Sequence, residues 1–319
     1  MRAQTAGGLD AEALEPAWTL GTCFGFEIRS RLPFRYLRGG GGDLLEITTP
    51  GPRGPLDDDR LVLNWAPPVH PFRAQLYSDG KTFRLLVDDA GWFSIDPSAG
   101  SIAVPDAHDP LRREERVWGL PALLCFVHRG DLPLHAAAVE IDGEAVLLAA
   151  PGKFGKTTLA AAFAAAGHRV LAEDLACVRL GDRTEVIPGP AMVRVRRDAS
   201  PHIVIPGAVR AEGGDQRVHL ALDPRLRGDC SPLPLRAVVL LREDETKIRF
   251  ERVSASRAIA DLWTLSFHLP TEEGRTRTFA GVADLASGVE VWDLARPMRF
   301  DALTDTIAAI VGLFRTGAS

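Results

Sequence analysis

The chain has 319 residues, of which 46% are hydrophobic and 25% charged, so it can build the core of one large domain or two modest ones. Its net charge of −5, without long runs of like charge, argues against nucleic acid as a partner. The four cysteines have no Cys-x-x-Cys spacing, and no uncharged apolar stretch reaches the ~18 residues of a membrane span. Since residues 1–20 also show no signal-peptide pattern, we expect a cytoplasmic protein without membrane contact.

Residues 1–105 have the pattern of a β-rich N-terminal module. Short stretches of alternating apolar residues, separated by Gly- and Pro-rich turns, predict strands over 23–28, 61–65 and 83–87. The four glycines at the start of 39–43 could form a phosphate-binding loop, but no helix or lysine follows them. We expect a flexible hairpin connection there, and the module shows no chemistry of its own.

Helices and strands alternate from residue 109 onwards. Apolar residues at helical spacing predict a helix over 111–129. The next predicted elements are a strand over 134–141, a turn at 142–143, a strand over 145–149, a helix over 157–166 ended by Gly167, and a strand over 168–172.

The stretch 210–234 is rich in Pro, Gly and charged residues and is predicted to be a long surface loop. The later predicted elements are strands over 237–241 and 247–250, helices over 255–267 and 278–286, a strand over 289–294 and a helix over 302–314. We therefore expect an α/β (α+β) fold, in which residues 106–319 form one domain behind the N-terminal module.

The segment 150–158, Ala-Pro-Gly-Lys-Phe-Gly-Lys-Thr-Thr, lies between a predicted strand and a predicted helix. A P-loop in this position uses a Lys for the β- and γ-phosphates of ATP and a Ser or Thr hydroxyl for Mg²⁺. Lys156 and Thr157 stand at those two positions, whereas Ala150 replaces the first glycine of the motif. The candidate ATP-binding residues are Gly152, Lys153, Phe154, Gly155, Lys156, Thr157 and Thr158.

Glu173 and Asp174 follow the next predicted strand and are the candidate acidic partners of Mg²⁺. The ion takes one or two carboxylates besides a hydroxyl and phosphate oxygens. Because neighbouring strand residues point to opposite faces, both carboxylates can reach one site only if the strand ends there. We assign Asp174 to the metal with Thr157, and Glu173 to the orientation or deprotonation of an attacking hydroxyl.

Three segments carry a resemblance to bacterial HPr kinase/phosphorylase, and more closely to its distant HPr-kinase-like relatives. They are 134–139 (Leu-His-Ala-Ala-Ala-Val), the loop 151–158, and 167–174 (Gly-His-Arg-Val-Leu-Ala-Glu-Asp). The resemblance covers residues 110–200 well and the remainder more loosely. It implies a P-loop kinase core of the HPr kinase/PEP carboxykinase-like type. Some relatives belong to peptide natural-product clusters, including those of lasso peptides, where they phosphorylate a serine of the precursor.

The resemblance also implies roles for single residues. His135 takes the position of the family's active-site histidine, although from the residues alone it could equally be a core histidine. Lys156 matches the phosphate-binding lysine, Thr157 the metal-binding serine, and 173–174 the acidic pair. Glu173 departs from the usual Asp, and no match follows to the signature that supports phosphorolysis, so HPr itself is a disfavoured substrate. The oligomeric state is left open, with a homo-oligomer as one alternative.

Other groups of polar residues have competing interpretations. The arginines of 194–197 could bind phosphate or an acidic substrate, or form the charged outer face of a strand. His202, His219 and His268 do not have the spacing of zinc ligands. No Gly-x-Ser-x-Gly elbow of a hydrolase is present.

The leading hypothesis is an ATP- and Mg²⁺-dependent kinase that acts on a hydroxyl, first of all Ser or Thr of a peptide or protein. An alternative with the same fold is a kinase for a small molecule such as a sugar or an amino alcohol. A third hypothesis is a nucleotide-binding protein that has lost its chemistry, motivated by Ala150 and Glu173.

Overall fold

The structure is a computed structural model that describes residues 18–66, 68, 73–106, 109–212 and 217–315. In this part of the chain the protein is a mixed α/β protein with three β-sheets. The predictions that concern residues 1–17 and Pro67 lie outside the described residues. Within the described ranges, every helix is too short or too polar to span a bilayer.

Residues 19–103 form an eight-stranded sheet with one buried face. Its strands are β1 (Thr19–Cys23), β2 (Phe26–Ser30), β3 (Asp43–Thr48), β4 (Arg60–Trp65), β5 (Ala74–Ser78), β6 (Phe83–Val87), β7 (Gly91–Asp96) and β8 (Ser101–Ala103). Their order in the sheet is β1-β2-β3-β8-β7-β6-β5-β4, and β3 runs parallel to both of its neighbours. Alternate residues such as Phe93 and Ile95 are fully buried, as the period-two pattern predicts.

Two predictions for this region are wrong. The stretch 23–28 is a hairpin, because Phe24 and Gly25 turn the chain between β1 and β2 with φ of 53° and 72°. Left-handed backbone at both central positions is the geometry of a type I′ turn. The glycines of 39–43 do not form a hairpin, since they connect the parallel strands β2 and β3. They allow close packing, because a Cβ on Gly42 would lie 2.1 Å from the carbonyl oxygen of Gly25.

The single helix predicted over 111–129 is two helices, α1 (Pro110–Val117) and α2 (Leu120–Arg129). Gly119 between them has φ −89° and ψ −125°, outside the helical region, and Pro121 in the first turn of α2 has no N–H to continue a helix from α1. The apolar spacing continues through the break because both helices pack into the core under the eight-stranded sheet. Spacing alone therefore could not reveal the break.

A nine-stranded mixed sheet organises the rest of the chain. The remaining strands are β9 (Leu132–Leu134), β10 (Ala136–Ile141), β11 (Glu144–Ala149), β12 (Val170–Ala172), β13 (Ala176–Arg179), β14 (Glu185–Ile187), β15 (Met192–Arg196), β16 (Val209–Glu212), β17 (Arg217–Ala221), β18 (Leu233–Glu243), β19 (Arg249–Arg252) and β20 (Glu290–Arg296). The remaining helices are α3 (Lys156–Ala165), α4 (Pro224–Arg227), α5 (Ala255–Leu265), α6 (Glu272–Gly288) and α7 (Leu303–Arg315). In this sheet β11, β18 and β20 run parallel side by side, and β10 pairs antiparallel with β11.

Helices cover both faces of the nine-stranded sheet, and the residues of β11 alternate between the two cores. Val146 and Leu148 pack with α3 and α7. Leu147 and Ala149 pack with α5 and α6 on the opposite face. Burial on both faces explains the continuous apolar sequence of β11, which is typical of a central parallel strand. The strand ends where the loop 150–155 begins.

The stretch 210–234 is not one surface loop, contrary to the prediction. It contains most of β16, all of β17 and α4, and the start of β18, while residues 213–216 lie outside the described part. β15, β17 and β16 form a three-stranded sheet in that order. The composition misled because Val218, His219 and Leu220 of β17 are all buried, and Val218 and Leu220 pack in the core beside α3.

The eight-stranded sheet is attached to the nine-stranded sheet through Arg38 and through a shared core. Arg38 is 2% exposed, and its guanidinium donates hydrogen bonds of 2.7 Å to the carbonyl oxygens of Val170 and Gly189. The core under the eight-stranded sheet also contains Cys177 and Ile187 of β13 and β14. The division of the chain at residue 105 stays a prediction.

Candidate nucleotide-binding and phosphotransfer site

The loop 150–155 connects the end of β11 to the start of α3. Lys153 and Gly155 have φ of 73° and 75°, in the left-handed region that favours glycine. Gly155 is also needed for space, because a Cβ would lie 2.8 Å from Nη2 of Arg296. As N-cap residue, Gly155 has no side chain to accept from the first N–H groups of α3. Such N–H groups suit an anion, so the local geometry is favourable for a bound phosphate.

Ala150 takes the place of the motif's first glycine without backbone strain. The non-glycine residues with positive φ in the described chain are Phe24, Asp142 and Lys153, and Ala150 is not among them. Its methyl group is buried, and its carbonyl oxygen accepts a hydrogen bond of 2.7 Å from Nζ of Lys156. The substitution by itself therefore leaves the loop geometry intact.

Lys156 is 5% exposed, and its ammonium group is held between the loop and a histidine. Nζ donates to the carbonyl oxygens of Ala150 and Pro151 at 2.7 and 3.1 Å and lies 2.9 Å from Nε2 of His135. Burial lowers the pKa of Lys156, although the nearby acidic side chains act in the opposite direction. A cation thus lies at the floor of the site, at the N-terminus of α3.

Glu173 lies beside α3 and contacts the predicted metal-binding hydroxyl. Because β12 ends at Ala172, Glu173 and Asp174 are not confined to opposite faces of a strand. Oγ1 of Thr157 donates to Oε1 of Glu173 at 2.8 Å, and Nε of Arg194 donates to Oε2 at 2.8 Å. From the sequence, Thr157 and Asp174 were assigned together to the metal, whereas the Thr157 hydroxyl donates its hydrogen bond to Glu173.

His135 interrupts the strand predicted over 134–141, between β9 and β10. Its backbone N–H donates to the carbonyl oxygen of Leu265 at 2.7 Å in place of a ladder hydrogen bond, which explains the break. In the side chain, Nδ1 lies 3.5 Å from Oδ1 of Asp174. Because the ammonium group of Lys156 can only donate, Nε2 of His135 is the acceptor and Nδ1 carries the hydrogen that faces Asp174.

The electrostatics of this pair set the protonation state of each group. Burial lowers the pKa of His135, so the ring is neutral at neutral pH. Burial acts to raise the pKa of Asp174, but Arg194, His135 and Lys156 outweigh it and hold that pKa below its usual range. The Asp174 side chain is 39% exposed and therefore within reach of a substrate. An ionised carboxylate beside a neutral imidazole can accept a proton from a hydroxyl.

Arg194 on β15 joins the acidic pair to helix α1. Besides its bond to Glu173, it donates from Nη2 to Asp174 at 3.3 Å and from Nη1 to Glu115 at 2.6 Å. Although burial acts to lower the pKa of Arg194, the surrounding carboxylates raise it, so the guanidinium stays charged. The sequence left open whether Arg194 lies on an outer strand face; it is 13% exposed, whereas Arg196 is 63% exposed.

The loop and Asp174 border an open cavity of about 520 Å³, which we call the loop cleft. All the predicted ATP-binding residues line this cleft except Phe154, whose side chain packs against the core of α3 and α7. The other residues that line the cleft include Arg196, Arg217, Arg296, Met298, Arg299 and Phe300. Sequence reasoning missed Arg217 and Arg296 because they come from β17 and β20, far from the loop in the chain. Several cations around a helix N-terminus suit a polyphosphate.

Within the described ranges, no three His, Cys, Asp or Glu side chains form a metal-binding group. Mg²⁺ needs no such group, since one or two carboxylates complete a coordination shell of water and phosphate oxygens. The Thr157 hydroxyl and the Glu173 carboxylate are oxygen donors of the kind that Mg²⁺ prefers. Three other histidines have contacts elsewhere: His202 stacks on Phe300, His268 stacks on Trp263, and His219 lies 3.7 Å from Glu115.

Comparison with known proteins finds similarity among solved structures only. No protein-family model matches the chain, and no curated protein matches it. Among solved structures, the chain is similar to the Hpr(Ser) kinase/phosphatase from Coxiella burnetii, with 12% sequence identity and a TM-score of 0.30. The match covers 58% of this chain and 97% of that protein.

Proposed function

We propose that the protein is an ATP-dependent kinase that transfers the γ-phosphate to a hydroxyl group. The observation that supports this proposal is a set of contacts at the N-terminus of α3. Lys156 is linked through His135 to Asp174, and Thr157 is bonded to Glu173. Nucleotide binding alone requires the loop and the cation. A carboxylate–histidine pair beside that cation indicates proton transfer as well.

Binding of Mg·ATP would use the loop N–H groups and Lys156 for the phosphates. The Thr157 hydroxyl and the Glu173 carboxylate would hold Mg²⁺, which neutralises charge on the β- and γ-phosphates when it is bound. This assignment exchanges the roles that the sequence suggested for the two acidic residues. The exchange is supported by the 2.8 Å hydrogen bond between Thr157 and Glu173.

Asp174 then acts on the acceptor. The acceptor oxygen attacks the γ-phosphorus, the bond from that phosphorus to the bridging oxygen breaks, and ADP leaves. The hydroxyl proton passes to Asp174, whose carboxylate is oriented by Nδ1–H of His135 and by Arg194. Lys156 lies next to His135 and offsets the negative charge that gathers on the phosphate oxygens.

Two alternatives remain separate from this proposal. A small-molecule kinase would use the same groups with another acceptor, such as a sugar or an amino alcohol. A protein that binds nucleotide without chemistry was suggested by Ala150 and Glu173. The unstrained backbone of Ala150 and the contact between Glu173 and Thr157 favour a working site over a degenerate one.

The proposal is tested with γ-labelled ATP, Mg²⁺ and panels of Ser- and Thr-containing peptides, sugars and amino alcohols. Wild type should label one acceptor class, and Lys156→Ala should lower the rate roughly 10²–10³-fold through loss of the phosphate contact. Lys247→Ala, an exposed lysine next to β19, is the matched control and should behave as wild type. A transfer rate that is unchanged in Lys156→Ala would contradict the proposal. So would the absence of transfer from wild type to every acceptor in the panels.

A further inference from the structure

A second cavity, of about 240 Å³, lies against the acidic pair. We call it the hydrophobic pocket. Its apolar wall comes from three parts of the chain: the eight-stranded sheet and its first turn, the junction of α1 and α2, and β15. The side chains that make this wall include Phe24, Leu85, Val87, Trp118, Leu120 and Met192.

The hydrophobic pocket and the loop cleft meet at the same two residues. Asp174 and Arg194 line both cavities, and Glu173 lines the pocket. In phosphoryl transfer the attacking and leaving oxygens lie roughly in line across the phosphorus. With a nucleotide in the loop cleft, the acceptor must therefore approach Asp174 from beyond the γ-phosphate. The hydrophobic pocket opens next to that position.

The charged groups that border the pocket are engaged with one another. Glu115 accepts from Arg194 at 2.6 Å, and the guanidinium of Arg116 is paired with Asp89. The indole N–H of Trp118 donates to a carboxylate oxygen of Glu114 at 3.2 Å. A sugar needs polar partners for its several hydroxyl groups, and this wall is dominated by apolar side chains. An apolar group gains free energy there by leaving water.

The size of the pocket sets the size of the group. Pockets for drug-sized ligands begin at about 300 Å³. The 240 Å³ of this pocket lies below that range, so the pocket suits part of a ligand rather than a whole one. An acceptor hydroxyl at Asp174 with an apolar side chain beside it fits both the polarity and the volume.

We propose that the hydrophobic pocket binds an apolar side chain adjacent to the accepting Ser or Thr of a peptide. This inference rests on the proposed kinase function and names its substrate class. It gives the N-terminal module a role in substrate selection, because Phe24, Leu85 and Val87 belong to that module. It also disfavours sugars as acceptors.

The test uses short peptides with one Ser whose neighbours on either side are Leu or Asn, two side chains of similar size. Wild type should prefer a Leu neighbour by roughly tenfold or more in kcat/KM, the gain expected from burying such a side chain. Ala74→Leu should fill the pocket from β5 and reduce the preference to below about threefold, mainly through KM. Leu120→Asn, at a partly buried position, should reduce it by making the wall polar, with less risk to folding.

Gln75→Leu is the matched control, since it adds an apolar side chain one residue along β5 on the opposite sheet face. It should keep the preference. Equal use of both peptides by wild type, a preference that survives both pocket variants, or transfer to sugars only would overturn the inference. Calorimetric titration with the same peptides, in which Ala replaces the Ser, measures peptide binding alone. It therefore separates the pocket proposal from the kinase proposal. Selective peptide binding without phosphate transfer would refute the kinase proposal and support the pocket proposal. Transfer without a preference for Leu would support the kinase and refute the pocket. Absence of both selective binding and transfer would refute both proposals.

Discussion

The loop cleft and the hydrophobic pocket share Asp174 and Arg194 as lining residues and differ in almost every other property. The cleft is lined by a helix N-terminus, two lysines and several arginines, whereas the pocket is lined mainly by apolar side chains. The cleft comes from residues after 134, but the pocket takes much of its wall from the eight-stranded sheet. The difference suggests that phosphate chemistry and acceptor choice are assigned to different parts of the chain. Arg194, which borders both cavities, should be the most sensitive point between them.

Replacing Arg194 should have the largest effect on stability. Arg194→Met keeps most of the side-chain volume but leaves the carboxylates of Glu115, Glu173 and Asp174 without their shared cation. We expect a loss of about 3–5 kcal/mol in the free energy of unfolding, measured by urea denaturation. Arg196→Met, at an exposed ion pair two residues further, should cost less than about 1 kcal/mol. Equal losses in the free energy of unfolding for the two substitutions would show that the contacts of Arg194 with the three carboxylates do not stabilise the fold.

Replacing Thr157 tests the cleft side of the comparison. Thr157→Val removes the hydroxyl that donates to Glu173, without a large change in volume. Because the proposed Mg²⁺ site then lacks its hydroxyl ligand, we expect affinity for Mg·ATP to fall roughly 10–100-fold in calorimetric titration. Thr158→Val should have a smaller effect, and the reverse order would assign the metal-binding hydroxyl to Thr158.

The pH dependence of kcat/KM reports on the groups beside Asp174. The pKa values of His135 and Asp174 lie below their usual ranges, so both groups keep their active protonation states at neutral pH. As pH falls, activity should therefore be retained until below about pH 6.5, the usual value for histidine. The pKa of Lys156 is also lowered, so activity should decline on the alkaline side before pH ~10.4. An acid limb centred well above pH 6.5 would contradict the neutral state of His135.

Restoring the missing glycine should have the smallest effect. Because Ala150 has no positive φ, Ala150→Gly relieves no strain and adds backbone freedom to the unfolded chain. We expect Mg·ATP affinity to change less than about twofold and stability to fall by about 0.5–1 kcal/mol. Calorimetry and urea denaturation measure both. A large gain in affinity would mean that the loop of the natural sequence is impaired.

The two cavities also differ in how far the sequence predicts them. The strand, loop and helix around Lys156 are contiguous in the chain, and their order along it matched the structure. His135 and Arg194 were candidates, but their contacts depend on a strand break and on β15. Arg217 and Arg296 carried no local signal, because their places in the cleft follow from sheet pairing across long stretches of chain. The hydrophobic pocket combines residues from 24 to 194 and could not be predicted from any local pattern.

The fold shows the same limit. Alternation in β6 and the continuous apolar run of β11 were sufficient to predict those strands. Spacing failed where a turn or break preserved the apolar pattern, as at Phe24 and Gly119. Composition failed in β17, where three consecutive residues are buried although the surrounding stretch is rich in Pro, Gly and charged residues.

The most direct test of the account is the Asp174→Asn variant, with nucleotide affinity and phosphate transfer measured on the same sample. Asn keeps the size of the side chain but cannot accept the proton of an attacking hydroxyl. We predict that calorimetry gives an affinity for Mg·ATP within about threefold of wild type, while transfer from γ-labelled ATP falls roughly 10²–10⁴-fold. Transfer at the wild-type rate, or a wild-type protein that binds no Mg·ATP, would contradict the account.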